Sequence, residues 1–144
     1  MILLDTNVVS EPLRPQPDNR VAEWLDKQLV ETLYLSAITV AELRLGVAQL
    51  PNGRKKERLH EQLEQVVLPL FAKRILPFDD ATARCYATIR ADARSKGKAI
   101  AAADAAADGY IVAMAQQYGF IVATRDVAPF LAAGLKVINP WDAD

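Results

Sequence analysis

The chain has 144 residues, a length suited to one compact domain, and at 51% hydrophobic and 24% charged it is excluded from the disordered class. A single cysteine, Cys85, and a single histidine, His60, exclude an internal disulfide and a zinc centre of Cys and His ligands, so any metal must be held mainly by oxygen. The net charge of −1 argues against duplex binding by bulk electrostatics but is compatible with an acidic centre neutralised by cations.

The first residues carry no basic segment and no long apolar run, so no signal peptide is expected. The longest apolar stretches, such as Val66 to Ala72 with Pro69 inside, are too short to span a bilayer. The expectation is a soluble, cytoplasmic protein without membrane contact.

Ile2 to Leu4 is a short apolar run ending at Asp5 and reads as a buried strand. Asn7 to Leu13 has room for one or two helical turns before Pro15-Gln-Pro17. Asp18 or Asn19 can cap a helix through Leu29, with Val21, Trp24, Leu25 and Leu29 on one face. Tyr34 to Ala37 reads as a second strand. Thr39 opens a helix to about Leu50, stopped by Pro51-Asn52-Gly53. A further helix runs from Arg54 to Leu68 with a basic first turn. Ile75 to Phe78 is a third strand, and Asp79 or Asp80 caps a helix to about Lys96. Ile100 to Tyr118 is an Ala-rich helix closed by Gly119. Phe120 to Ala123 is a fourth strand, and Lys136 to Ile138 a fifth.

Strands alternating with helices predict an α/β fold, a mostly parallel four- to five-stranded sheet with helices on both faces, in one domain over 1–144. The only internal repeat is a tetrapeptide duplication, Ala101-Ala-Ala-Asp104 followed by Ala105-Ala-Ala-Asp108.

In a parallel α/β sheet, ligands bind beyond the carboxyl ends of the strands. Asp5 follows the first strand, and Asp126 follows the fourth through Thr124 and Arg125. Glu42 lies early in the helix after the second strand. Asp108 lies near the start of the Ala-rich helix. Four ionised carboxylates in one pocket repel unless they bind protons or a cation. An all-oxygen set suits Mg²⁺ or Mn²⁺, which can activate a water and stabilise charge on a phosphodiester. Thr6 and Asn7 can add hydrogen bonds, Thr124 can orient a carboxylate, and Arg125 can pair with a phosphate or with the acids.

Each acid also has a plain structural role open to it. Asp5 can cap the short helix that follows it. Thr39-Val-Ala-Glu42 matches a capping box, which by itself favours a cap for Glu42. Asp108 can sit on a solvated helix face, and Asp126 can cap a turn at Val127 to Leu131. The basic residues Arg54, Lys55, Lys56, Arg58, Arg90, Arg94, Lys96 and Lys98 read as a solvated face rather than an RNA track. His60, Cys85, Trp24 and Trp141 read as packing or surface residues.

Six segments in this order resemble the PIN-domain family, in its VapC/FitB-like branch of bacterial toxins. They are Met1-Ile-Leu-Leu-Asp-Thr-Asn-Val-Val-Ser-Glu11, Tyr34-Leu-Ser-Ala-Ile-Thr-Val-Ala-Glu-Leu-Arg-Leu-Gly46, Arg74-Ile-Leu-Pro-Phe-Asp79, Ala107-Asp-Gly-Tyr-Ile-Val-Ala-Met-Ala115, Val122-Ala-Thr-Arg-Asp126 and Ile138-Asn-Pro-Trp141. The resemblance implies an acidic Mg²⁺/Mn²⁺ site and endonucleolytic cleavage of single-stranded RNA by a metal-activated water. It also implies a homodimer held inactive by a small antitoxin, often of the ribbon-helix-helix type, which brings the complex to operator DNA.

Carried over residue by residue, the family acids fall on Asp5, Glu42 and Asp126. Many relatives have Asn in place of the last, with an Asp a few residues later, where this chain has Pro129. For the remaining acid the duplication offers Asp104 and Asp108. The family spacing to Ile is met by Asp108-Gly-Tyr-Ile111 and not by Asp104-Ala-Ala-Ala107, so Asp108 is taken. A step of four residues along a helix turns a side chain by only about 40° and moves it about 6 Å, which puts Asp104 on the same face.

A metal nuclease acting on DNA is the main rival. A binding module that only represses transcription with its antitoxin is disfavoured by the complete set of acids. A phosphotransfer receiver domain would require an early acidic pair and a late lysine, and neither is present. A dinucleotide-binding domain would require a Gly-rich loop after the first strand.

Overall fold

A computed structural model describes residues 1–95 and 106–142. Five parallel strands form one sheet in the order β3-β2-β1-β4-β5, with β1 (Ile2–Leu4) at its centre. β1 pairs with β2 (Leu33–Ser36) through Ile2 opposite Leu33, and with β4 (Ile121–Ala123) through Leu4 opposite Ala123. The edges are β3 (Ile75–Leu76) beside β2 and β5 (Val137–Ile138) beside β4.

The side-chain alternation of a strand explains why the sheet is covered twice. Ile2 and Leu4 of β1, with Leu33 and Leu35 of β2, belong to one buried cluster. That cluster also takes in Val8 and Val9 of α1 (Thr6–Ser10), Val21 and Trp24 of α2 (Asn19–Asp26), and Val40 and Leu43 of α3 (Ala37–Ala48). Leu3 and Val122 face the other way. They pack with Ile111, Val112 and Met114 of α7 (Ala106–Tyr118) and with Phe130 of α8 (Ala128–Ala132). A strand buried on both faces reads as a continuous apolar run, which is why Ile2-Leu3-Leu4 was legible.

α6 (Asp80–Ser95) packs along α7. The two helices lie close at Gly109. A Cβ there would stand 3.1 Å from Tyr86 Cε2 and 3.3 Å from Arg90 Nη1. Asp79 accepts from the Thr82 N–H at 3.0 Å and from its hydroxyl at 2.8 Å, so it is Asp79 that caps α6. Gly119, at φ 70°, ends α7 in the left-handed conformation that glycine tolerates best.

Several boundaries differ from the expectation. α2 stops at Asp26, three residues short of Leu29, and Val30 to Thr32 form a single 3-10 turn. β2 begins at Leu33. The expected Arg54 to Leu68 helix is α4 (Arg54–Gln62), a widened π-type turn over Leu63–Val67, and α5 (Leu68–Leu70) with Pro69 in its first turn. The Ala-rich helix is described from Ala106 onward. Its expected start at Ile100 and Asp104 lie outside the described residues. No helix among the described residues is long and apolar enough to cross a membrane.

Candidate active site

The strand order reverses between β1 and β4, the switch point where open parallel sheets leave a crevice beyond their carboxyl ends. Asp5 stands at that point. Its N–H donates to Ala123 O at 2.9 Å, which carries the β1–β4 pairing one step past the strand. Asp5 is 5% exposed. Its Oδ1 accepts from the Thr6 N–H at 2.8 Å, so it does cap α1, and its Oδ2 accepts from the Thr124 hydroxyl at 2.7 Å. The cap and the site are thus one residue with two duties. Burial raises the Asp5 pKa, the two hydrogen bonds oppose the rise, and the charges of Glu42 and Asp126 add to it.

Thr124 is fully buried and links three parts of the site. Its one hydroxyl proton goes to Asp5, so its oxygen is left to accept from Asp126 N–H at 3.1 Å and, more weakly, from Asn7 Nδ2 at 3.5 Å. Asn7 Oδ1 in turn accepts from the Arg125 N–H at 3.4 Å. Asp126 is exposed, and α8 begins without any side-chain cap, so the cap role for Asp126 is absent.

The capping-box reading of Glu42 is overturned. The N-cap of α3 is Ser36, whose hydroxyl accepts from the Thr39 N–H at 3.0 Å. With the helix starting at Ala37, Thr39 is at its third position and Glu42 one turn further on, beyond reach of the cap. Glu42 points instead across to α1, where its Oε1 accepts from the Thr6 hydroxyl at 2.6 Å. Thr6 has no second proton to give. The 3.2 Å contact between the Thr6 and Thr39 hydroxyls therefore has Thr39 as donor, and the chain runs from Thr39 through Thr6 to Glu42.

Asp108, half-buried in the first turn of α7, completes the group. Its pKa is pushed up to about 6, first by burial, then by the charges of Asp5, Asp126 and Glu42, and last by a hydrogen-bond contact with Asp126. Asp5 and Asp108 thus both feel the charges of Glu42 and Asp126, and Thr6 and Thr124 hold Asp5, Glu42 and the backbone at Asp126. Asp104 lies outside the described residues.

A pair of carboxyls in hydrogen-bond contact needs a proton or a cation between them. The donors are all oxygen, the chemistry of a hard divalent ion. Among the described residues, no three acidic, Cys or His side chains are grouped as direct ligands of a single ion. Mg²⁺ suits such a set, because it keeps several waters and takes only one or two carboxylates directly.

The PIN-domain family model matches residues 2–134. The chain belongs to the PIN-domain family. As a PIN domain it is similar to Toxin FitB of Neisseria gonorrhoeae, strain ATCC 700825 / FA 1090. The two are 64% identical over 141 residues, or 98% of this chain and 99% of the relative. It is 54% identical to VapC ribonuclease Y4jK of Sinorhizobium fredii, strain NBRC 101917 / NGR234, over 99% of both chains. A solved structure of FitAB bound to an IR36 DNA fragment superposes on it with a TM-score of 0.93 at 61% identity, covering 100% of this chain and 98% of that one.

Two contributors to this PIN domain's site carry no local sequence signal of that role. Thr39 fits a helix cap in sequence, although its hydroxyl feeds the Thr6–Glu42 bond. Trp141 fits a packing role. It is buried, but the Arg125 guanidinium carbon also lies 5.2 Å from its ring centroid. Ser36 at the end of β2 was the available signal for the first, since Ser is a better N-cap than a Thr already inside the helix.

Proposed function

We propose that this PIN domain is a divalent-metal-dependent endoribonuclease that hydrolyses phosphodiesters of single-stranded RNA. The observation that carries this reading is the Asp108 carboxyl, pushed up to about 6 by burial and by Asp5, Asp126 and Glu42. The raised value records burial and repulsion from the neighbouring acids, and a cation beside the group would relieve both. Mg²⁺ or Mn²⁺ held by Asp5, Glu42, Asp108 and Asp126 would lower the pKa of a bound water and neutralise charge on the phosphodiester. The chain's own residues fix the carboxylates. Thr124 and the Thr6 N–H lock Asp5, Thr6 locks Glu42, and the Thr124 oxygen anchors the backbone at Asp126. Of the four acids Asp5 is buried and Asp126 exposed, which leaves Asp126 the most open to an incoming strand.

The likeness to a relative named VapC ribonuclease supports RNA as substrate, and the likeness to Toxin FitB supports a toxin role. The FitAB structure on DNA supports assembly of this chain with a small DNA-binding antitoxin that carries the complex to operator DNA. We extend the reading to a cytoplasmic homodimer.

The test is cleavage of an end-labelled single-stranded RNA by the purified protein in Mg²⁺ or Mn²⁺, in EDTA, and with DNA of the same sequence. Cleavage of RNA that stops in EDTA is expected. Full activity in chelator would remove the metal from the reading, and cleavage of DNA alone would replace the substrate.

A further inference from the structure

The Ile138-Asn-Pro-Trp141 segment brings no carboxylate to the acid pocket, yet it is tied to Thr124 and Arg125 beside it. The Thr124 N–H donates to Ile138 O at 3.0 Å, which ties the step into Arg125 to the end of β5. Asn139 then closes a turn. Its Oδ1 accepts from the Trp141 N–H at 3.0 Å, its Nδ2 donates to Asp142 Oδ2 at 3.2 Å, and its carbonyl accepts from the Asp142 N–H at 3.0 Å. Pro140 and Trp141 are buried, and Trp141 belongs to the main core. The indole is therefore a fixed surface, and the Arg125 guanidinium lies over it.

Arg125 is held at both ends, by the N–H bond to Asn7 and by the ring contact. It follows Thr124 and precedes Asp126, so its backbone borders the pocket while its guanidinium lies against Trp141. Among the described residues, no carboxylate forms an ion pair with it, neighbouring Asp126 included. Asp18 feels its charge but is already engaged by Arg20, at 3.1 Å from Nε and 2.7 Å from Nη2. A guanidinium stacked on an aromatic face keeps its edge N–H donors free and fixed in plane, the geometry that suits a phosphate. A polyanion approaching four carboxylates needs a cation beside them.

Resting on the nuclease reading above, we propose that Arg125 binds a backbone phosphate of the single-stranded RNA next to the scissile one. Trp141 is then a positioning residue, and the Asn-Pro-Trp turn is the seat that presents the cation to the strand.

The experiment is steady-state cleavage of a labelled single-stranded RNA in Mg²⁺. It is combined with fluorescence anisotropy of the same RNA on the Asp108→Asn protein across a salt series. Arg125→Ala is expected to raise KM and Kd about tenfold with kcat within about twofold, as for loss of one charge-assisted hydrogen-bonded contact. The slope of log K against log salt should shrink by about 0.7, the value for one phosphate of a single strand. Arg125→Lys keeps the charge but not the planar fork, and should fall between. Trp141→Leu should move KM in the same direction, about threefold, and Trp141→Phe, which restores a ring, should recover most of it. Wild-type KM, Kd and salt slope in Arg125→Ala would overturn the proposal while wild-type cleavage leaves the nuclease reading intact. So would Trp141→Leu and Trp141→Phe losing kcat equally with KM unchanged, the mark of a purely structural role. If Trp141→Leu does not fold, the two Arg125 variants decide. No cleavage by the wild type would overturn the nuclease reading itself.

Discussion

The hydroxyl of Thr124 donates to Asp5 Oδ2 at 2.7 Å, across 119 residues of chain and inside the protein. Valine matches threonine in shape but has no proton to give. Thr124→Val should leave a buried carboxylate oxygen without its donor, at a cost of about 1–3 kcal/mol in chemical denaturation. Cleavage should fall about ten- to hundredfold, as for groups that orient metal-binding carboxylates. Thr124→Ser should restore both. Wild-type cleavage in Thr124→Val would show that the bond does not set the Asp5 geometry.

Asp108 makes a prediction in stability against pH. Its folded pKa, about 6, lies above the ordinary aspartate value of 3.8. The folded state therefore holds the extra proton between these values, and this contribution to stability is present at low pH and lost as pH rises through about 6. Asp108→Asn should raise the melting temperature by a few degrees at pH 7.5 and by less at pH 4.5. The gain corresponds to about 1 kcal/mol, discounted from the full shift because the group is half in solvent. The same variant should abolish cleavage.

The duplicated tetrapeptide gives a ranking. Asp104→Asn should reduce RNA cleavage less than Asp108→Asn, because Asp108 has the family spacing to Ile111 and carries the influence of the other three acids. The opposite order in one assay would assign the site to the wrong copy.

The two ends of α3 chemistry should separate. Ser36→Ala removes the helix cap and should cost about 1 kcal/mol with cleavage retained per folded molecule. Glu42→Gln should do the reverse, with near-wild-type melting and strongly reduced cleavage. Melting curves run beside the cleavage assay give both numbers.

Divalent ions should stabilise the fold as well as support activity. Mn²⁺ at ten times its Kd should add about 1.4 kcal/mol, a rise in melting temperature that EDTA reverses and Asp5→Asn weakens. An unchanged melting temperature at saturating Mn²⁺ would argue that no ion binds the pocket.

The sheet was legible because each central strand is a short apolar run bounded by polar residues, as in Ile2-Leu3-Leu4 before Asp5. Asp5 and Asp126 were legible as residues that follow strands, Glu42 and Asp108 as residues early in helices, and their order along the chain matched a known pattern. Local rules failed where two of them competed. Thr39 and Glu42 satisfy a capping box in sequence, but Ser36 takes the cap, and the box residues are drawn into a bond with Thr6 from α1. Helix periodicity also overran α2, because nothing in Lys27 to Leu29 marks the turn that aligns β2. The seat under Arg125 was out of reach of periodicity, since it depends on a contact between residues of different segments.

With β1 in the middle of the sheet and β4 beside it, the centre draws on both extremities of the chain, from Asp5 to Asp126. No shorter stretch contains it. A growing polypeptide that stops short of β4 has Asp5 and Glu42 but neither the Thr124 hydroxyl nor Asp126, so the four acids can come together only after residue 126 has been added.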